Sequence, residues 1–169
     1  MYVIDFERLE AGDIVLTSVK GITSKAIRLA TNSDYSHVML YVGSGIYVHA
    51  DQKGVNQGNI RRLTFKSKEN VRVWRISDKS VRRDACIYAR MQSGKKYSVL
   101  DAIKTKLPKI LSIKNTNRQF CSRLVAQAYE KAGIRIVGDS NNCTPHDIDV
   151  SEHTTEVLGC MRRPSVEEE

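Results

Sequence analysis

The chain has 169 residues, of which 41% are hydrophobic, and a formal net charge of +8. A chain of this length can close one ordinary core and leaves little for a second, so we expect a single domain over residues 1–165. The ordinary aromatic, charged, glycine and proline contents exclude a collagen, a low-complexity scaffold and a largely disordered protein. Only the acidic end, 166–169, is expected to be a disordered tail.

The N-terminal segment and the cysteines bear on the compartment. Acidic residues interrupt the first apolar run before it could form a signal-peptide core, and no later stretch approaches the roughly 18 apolar residues of a membrane helix. We therefore expect a protein that is cytoplasmic as made, with export left to a route that needs no N-terminal signal. Four cysteines without a CxxC spacing predict reduced thiols rather than disulfides.

The positive charge is concentrated in residues 60–118, which hold 17 Lys or Arg and four acids. Such a region could attract nucleic acid, anionic lipid headgroups or an acidic glycan, and it is also compatible with a simple solvated surface. Few aromatic residues lie among these charges, so nucleic acid is the least favoured partner. The sequence has no P-loop and no GxGxxG motif, which leaves nucleotide chemistry without support.

The first half of the chain is predicted to be rich in β-strands. A turn signal followed by a β-branched run predicts a strand in 11–18, before a short amphipathic helix at 22–31 and a loop at 32–36. Two apolar runs, 37–42 and 46–50, are joined by a glycine-containing turn and predict a β-hairpin. Further strands are expected at 58–63 and 71–76.

The second half changes to a helical period at Lys79. Helices are predicted at 79–93, at 98–110 and at 119–132, where the last ends at Gly133 and is preceded by the loop 115–118. Thr144 and Pro145 predict the N-cap and the first residue of a short helix.

Cys121 is the first candidate for chemistry. It opens a predicted helix, where unpaired backbone amides and the helix dipole would stabilise a thiolate. With a base in reach, such a thiolate is a nucleophile. The competing interpretation is a small buried hydrophobic residue, which is the commoner fate of a cysteine that forms no disulfide.

Two histidines form the second candidate. His37 begins an apolar strand and could project into a cleft, although a structural role is equally compatible with its position. Symmetry of the hairpin about residue 44 would place residue 51 opposite His37 and His49 one diagonal step away. His49 could then orient His37 through a hydrogen bond, as the third group of a nucleophile, base and orienting set does.

A zinc site is the alternative for the same residue types. Zinc favours cysteine and histidine, and Cys121, His37, His49 and Cys143 supply them. No two of these residues have the short spacing of structural zinc sites, so we expect no metal and no other cofactor.

Several motifs together resemble the NlpC/P60 superfamily. They are Gly12-Asp-Ile-Val15, Tyr35-Ser-His-Val38, Tyr41-Val-Gly43, Tyr47-Val-His-Ala50 and Phe120-Cys-Ser-Arg-Leu-Val-Ala-Gln-Ala-Tyr129. The histidine strand precedes the cysteine helix, whereas ordinary members have the opposite order. The pattern therefore resembles the permuted papain-like branch, which contains the YiiX/YebB-like hydrolases and, more distantly, the lecithin:retinol acyltransferase-like enzymes.

The resemblance covers residues 11–158 and implies a fold. It implies an α+β, circularly permuted papain-like NlpC/P60 fold, in which an antiparallel β-sheet or barrel packs against helices and the catalytic cysteine lies at a helix N-terminus. The segment Thr144-Pro-His-Asp-Ile148 resembles the one with which YiiX-like chains close their cleft.

The resemblance also implies roles for individual residues. Cys121 would be the nucleophile, His37 the general base and acid, and His49 the residue that orients His37. Tyr35, Ser122 and Arg123 are the candidates for substrate and oxyanion contacts. YiiX-like chains often carry Glu at the position of His49, and family members often carry Gly at that of Arg123.

The implied activity is that of a cysteine peptidase or amidase that cleaves an amide through an acyl-thioester on Cys121. Peptidoglycan peptides are the favoured substrate, and a secreted antibacterial effector is one setting for it. One alternative is a lipid or protein deacylase or acyltransferase, with residues 60–118 against anionic headgroups. Another is a non-catalytic basic binding module. An inhibitor or a delivery partner is left open.

Overall fold

The computed structural model describes residues 1–18, 34–51, 53–96 and 121–165. The predicted helices at 22–31 and 98–110, the loop at 115–118 and the acidic tail at 166–169 lie outside the described residues.

The described strands form two antiparallel sheets. The strands are β1 (Tyr2–Ile4), β2 (Ile14–Thr17), β3 (His37–Gly43), β4 (Ile46–Asp51), β5 (Gly54–Asn59), β6 (Thr64–Phe65), β7 (Val71–Arg75), β8 (Thr155–Glu156) and β9 (Met161–Arg162). The larger sheet has the order β5-β4-β3-β2-β7-β8, and the smaller one the order β6-β1-β9. The expected α+β class with antiparallel pairing is confirmed.

Three helices accompany these sheets in the described part of the chain: α1 (Lys79–Gln92), α2 (residues 121–131) and α3 (Pro145–Asp149). Asp78 caps α1 by accepting hydrogen bonds from the backbone N–H groups of Ser80 and Val81. Residues 119 and 120, with which the predicted helix begins, lie outside the described residues. None of the helices within the described ranges is long and apolar enough to cross a lipid bilayer.

The short helix α3 has the predicted start. Thr144 accepts a hydrogen bond from the backbone N–H of Asp147, whose carboxylate accepts one from the N–H of Thr144 in return. This reciprocal capping satisfies two amides at once, and Pro145 fits the first helical position because it has no N–H to satisfy.

Alternation along the strands separates two hydrophobic clusters. Val38 and Leu40 of β3 point to the first cluster, which lies between the larger sheet and the helices, whereas Met39 and Tyr41 point to the second. Other members of the first cluster are Ile14, Leu16, Val48, Ala85, Ala89, Leu124, Val125, Tyr129 and Ile148. Other members of the second are Ile4, Leu9, Val15, Ile60, Val73 and Cys160. The larger sheet is therefore covered on both faces.

A buried ion pair fixes the start of β2. The Asp13 carboxylate is fully buried and accepts two hydrogen bonds, each 2.7 Å, from the Arg75 guanidinium on β7. Glu10 pairs with Arg75 and also with Arg82 of α1. Gly12 has φ +96, and a Cβ there would meet the side chain of Arg82. Gly12 thus lets α1 approach the sheet closely, and Arg75 neutralises the charge of the buried Asp13.

The predicted strand at 58–63 is wrong in its bounds. The strand runs over Gly54–Asn59, and Ile60–Arg62 form a 3-10 turn. The reason is local, because the Asn59 side chain accepts a hydrogen bond from the backbone N–H of Arg61 and caps the turn. The other described strands and helices of the prediction occur within one to three residues of their expected ends.

Candidate active site

The pairing of β3 with its two neighbours differs at the end where His37 lies. β3 pairs with β2 up to His37 opposite Thr17. The pairing of β3 with β4 runs from Gly43 opposite Ile46 only as far as Leu40 opposite Val48, while β4 stays paired with β5 up to Asp51. The regular pairing of β3 with β4 therefore ends at Leu40, whereas each strand stays paired with its other neighbour.

Two imidazole rings meet just beyond the last regular pair of β3 and β4. His37 Nε2 and His49 Nδ1 lie 2.9 Å apart, at hydrogen-bond distance. The ring centroids are 5.0 Å apart and the ring planes are almost perpendicular, at 85°. One nitrogen of this contact must carry a proton and the other must accept it, so the pair fixes the two tautomers together. The expectation that the two histidines come close in space is confirmed.

Burial keeps this pair neutral. The pKa of His37 is lowered to about 4, mainly because burial disfavours the imidazolium and also because His49 lies beside it. Burial likewise lowers the pKa of His49. The Asp51 carboxylate acts against both shifts, since a negative charge stabilises a protonated ring. Both rings are therefore uncharged at neutral pH.

The sequence did not single out Asp51 or Asn56, yet both belong to this end of the sheet. Asn56 stands opposite His49 on β5, and its amide N–H donates to the Asp51 carboxylate over 3.2 Å. The ring of Tyr47 also packs edge-on against His49, at 5.3 Å between centroids. The signal that could have indicated Asp51 is the alternation of Tyr47, His49 and Asp51 along β4, which puts the three polar side chains on one face of the strand.

Cys121 is fully buried and belongs to the first hydrophobic cluster, together with Val38, the residue that follows His37. None of the four cysteines forms a disulfide, as expected. Burial raises the pKa of the thiols of Cys86 and Cys160 to about 11 and that of Cys143 to about 12. These three thiols are therefore protonated at neutral pH.

The two residues after Cys121 face different surroundings. Ser122 is buried, and its hydroxyl donates a 2.6 Å hydrogen bond to the Cys143 carbonyl, which ties α2 to the segment before α3. The Nε of Arg123 is buried, and it has no hydrogen-bond partner within the described ranges. The roles of Ser122 and Arg123 toward a substrate stay predictions.

Tyr35 lies two residues before His37 and is only 5% exposed. The guanidinium of Arg72 lies 5.5 Å from the centre of its ring. Arg72 is itself held by Asp149 at the end of α3, and Asp149 also accepts a 2.8 Å hydrogen bond from Trp74. These contacts join α3 to β7 beside Tyr35, and the role of Tyr35 toward a substrate stays a prediction.

A metal site would need several ligand side chains close together. No cluster of three or more His, Cys, Asp or Glu side chains in the described part of the chain could hold a metal ion. Although His37 and His49 meet, Cys121 and Cys143 do not complete such a cluster with them.

An antiparallel sheet whose histidine strand precedes the cysteine-bearing helix has the order along the chain that is expected of the permuted papain-like branch. The family model described as "permuted papain-like amidase enzyme, YaeF/YiiX, C92 family" matches residues 8–155. The chain therefore belongs to this family of amidases, and the resemblance to the permuted papain-like branch is confirmed.

One solved structure with the same fold is that of "metalloprotein yiiX from Escherichia coli O157:H7". It superposes with a TM-score of 0.64 and 19% sequence identity, over 89% of this chain and 97% of that one. At this identity the likeness concerns the fold. Comparison with curated protein sequences gives no match.

Proposed function

We propose that the chain cleaves an amide bond with Cys121 as nucleophile, His37 as general base and acid, and His49 as the residue that orients His37. Membership of an amidase family supports the reaction type. The 2.9 Å contact between His37 and His49 is the observation that supports this assignment most directly, since a base needs a partner that fixes its ring.

The hydrogen bond leaves one nitrogen of His37 for the reaction. In the proposed tautomer, His37 Nε2–H donates to His49 Nδ1, so Nδ1 of His37 carries a lone pair. That nitrogen would take the proton of the Cys121 thiol. The low pKa of His37 disfavours a charged ring on its own, so the thiolate and the Asp51 carboxylate would both be needed to stabilise the imidazolium.

The proposed reaction is an acyl transfer to water in two stages. The Cys121 sulfur attacks the carbonyl carbon, the C–N bond breaks, and His37 gives its proton to the departing amine. The acyl group remains on sulfur as a thioester. His37 then removes a proton from a water molecule, which attacks the thioester and releases a carboxylic acid and the thiol. In this proposal Cys121 lies near the start of α2, where backbone N–H groups would bind the oxyanion.

The substrate we propose is a peptide, with peptidoglycan peptides as the first class to test. The support is electrostatic, because the chain carries a net charge of +8 and cell-wall peptides carry carboxylates.

The test compares the wild-type protein with Cys121→Ala on peptidoglycan fragments, on a phospholipid and on an acyl-thioester. Cys160→Ala is the matched control, since it removes a buried thiol that belongs to the second hydrophobic cluster, whereas Cys121 belongs to the first. We expect amide cleavage by the wild type and by Cys160→Ala, and loss of all cleavage in Cys121→Ala. Activity of Cys121→Ala equal to that of the wild type would refute the proposal. If only the phospholipid or the acyl-thioester were cleaved, Cys121 would still be the nucleophile, but the substrate would be an acyl ester or thioester instead of an amide.

A further inference from the structure

The outward face of α1 carries a feature that the proposed reaction does not use. Lys79, Arg83, Ile87 and Met91 recur every four residues and therefore form one stripe along the helix. We call these four residues the outer stripe. All four are exposed, and Ile87 and Met91 keep 51% and 70% of their surface accessible.

The other face of the same helix is occupied. Arg82, Ala85, Cys86 and Ala89 are the buried residues of α1. Ile87 and Met91 are not among these buried residues, so burial of the helix against the sheet does not explain the two large apolar side chains of the outer stripe. Single exposed apolar residues are common on protein surfaces, but here two lie one turn apart and continue a row of cations.

The stripe is strongly positive. Lys79 and Arg83 belong to it, Arg90 flanks it, and Lys95 and Lys96 follow the helix with exposed side chains. Within the described ranges, Arg83 is the member of the stripe with a carboxylate in ion-pair distance, and that partner, Asp84, is itself exposed. Such exposed neighbours neutralise each other weakly in water.

A cavity adjoins the stripe. It measures about 440 Å³ and is lined on the helix side by Lys79, Arg82, Arg83, Cys86, Ile87 and Arg90. Val42 and Ala11 supply apolar surface to the same cavity, and Glu10 adds a carboxylate that is paired with Arg82. Lys79, Arg83 and Arg90 therefore lie beside apolar surface, which is a combination that an anionic amphiphile can satisfy.

We propose that the outer stripe of α1 docks on an anionic lipid bilayer. Ile87 and Met91 enter the interfacial region, while Lys79, Arg83 and Arg90 lie at the level of the lipid phosphates. A bilayer fits better than a nucleic acid or an acidic glycan, because both of those would meet the cations and leave the aliphatic side chains in water. The stripe carries no aromatic ring on which a base could stack.

The experiment measures co-sedimentation of the full chain with vesicles of phosphatidylcholine, with and without phosphatidylglycerol. We expect binding that requires phosphatidylglycerol and weakens with salt. Lys79→Glu/Arg83→Glu reverses two charges of the stripe, and Lys53→Glu/Lys131→Glu makes the same net change at exposed lysines elsewhere. Each cation removed from the stripe should lower the affinity for the vesicles about fivefold or more. The first variant should therefore bind at least an order of magnitude more weakly than the second.

The apolar contribution is tested separately. Ile87→Ser/Met91→Ser should reduce binding on the order of tenfold, because two aliphatic side chains no longer enter the interface. Val150→Ser/Leu158→Ser is the matched control, since Val150 and Leu158 are 60% and 75% exposed on other elements. Far-UV circular dichroism checks that each variant is folded.

Three results would overturn the proposal. The first is no binding to phosphatidylglycerol vesicles at low salt. The second is equal loss in the stripe and control variants, which would mean that net charge alone attracts the lipid. The third is lipid binding that depends on the cations of the stripe but not on Ile87 and Met91, while Lys79→Glu/Arg83→Glu also loses binding to DNA or heparin. That result would mean that the stripe is a general polyanion surface.

Discussion

His37 Nε2 and His49 Nδ1 are 2.9 Å apart although the paired part of their hairpin ends at Leu40 and Val48. The two rings can meet because residues 37 and 49 fall on the same face of neighbouring antiparallel strands, one diagonal step apart. The contact therefore lies just beyond the last regular pair of the hairpin, where His37 is still paired with β2 and His49 with β5.

The hydrogen bond between the histidines should matter for catalysis more than the ring of His49 itself. We expect His49→Ala to lower kcat on the order of a hundredfold, because His37 loses the partner that fixes its tautomer. His49→Gln should retain more activity, since its amide oxygen can accept the hydrogen bond from Nε2. Steady-state kinetics of both variants checks this, with the exposed His153→Ala as control. Equal activity in His49→Ala and the wild type would contradict an orienting role.

Burial of His37 should make the fold sensitive to acid. Its pKa falls from 6.5 to about 4 on folding, so the unfolded chain binds more protons than the folded one between these values. The free energy of unfolding should therefore decrease as the pH falls through this window, by up to about 3 kcal/mol. Urea unfolding across the window measures the slope. His37→Gln should flatten it, whereas the exposed His153→Gln should not.

Asp51 should hold the pKa of both histidines higher than burial alone would allow. Replacing its carboxylate in Asp51→Asn removes a favourable charge, so the titration of His37 and His49 should move to lower pH. Proton NMR of the imidazole rings follows both midpoints without an activity assay. Asp84→Asn, an equal charge change on the exposed side of α1, provides the comparison. Unchanged midpoints in Asp51→Asn would show that the carboxylate does not act on the pair.

The ion pair at the start of β2 should be a major stabilising contact. Asp13→Asn removes the charge of a buried carboxylate and replaces one of the two oxygens that accept hydrogen bonds from Arg75. We therefore expect the free energy of unfolding to fall by about 3 kcal/mol. Chemical denaturation gives the value. Asp84→Asn breaks an exposed pair with Arg83 instead and should leave the denaturation midpoint nearly unchanged. Similar losses in both variants would contradict the importance of burial.

Local sequence patterns predicted the elements whose causes are local. The hairpin of β3 and β4 follows from two apolar runs around a glycine turn, and the start of α3 follows from Thr144 and Pro145. The misplaced strand at 58–63 had a local cause as well, the Asn59 cap, but a single asparagine in a polar stretch gives a weak signal. The short strand β1 was missed because its partners, Phe65 and Met161, are distant in sequence.

The candidate site, too, was predicted only in part from the sequence. The sequence singled out His37, His49 and Cys121, and it predicted the diagonal approach of the two histidines from hairpin symmetry. It did not indicate Asp51 as a charge that acts on both rings. The catalytic role of Cys121 and its position relative to the histidine pair stay predictions.

The sequence by itself determined which residue types could carry acyl transfer, the order of histidine strand and cysteine helix, and hence the permuted papain-like family that the matched residues 8–155 confirm. Order along the chain and side-chain chemistry are properties of the sequence alone. Only the tertiary structure decided that the pairing of β3 with β4 ends at Leu40, that His37 Nε2 and His49 Nδ1 come within hydrogen-bond distance beyond it, and that burial lowers the pKa of both rings. These depend on which strands each half of the hairpin pairs with and on how much water the packing removes, and neither is encoded locally in the two histidines.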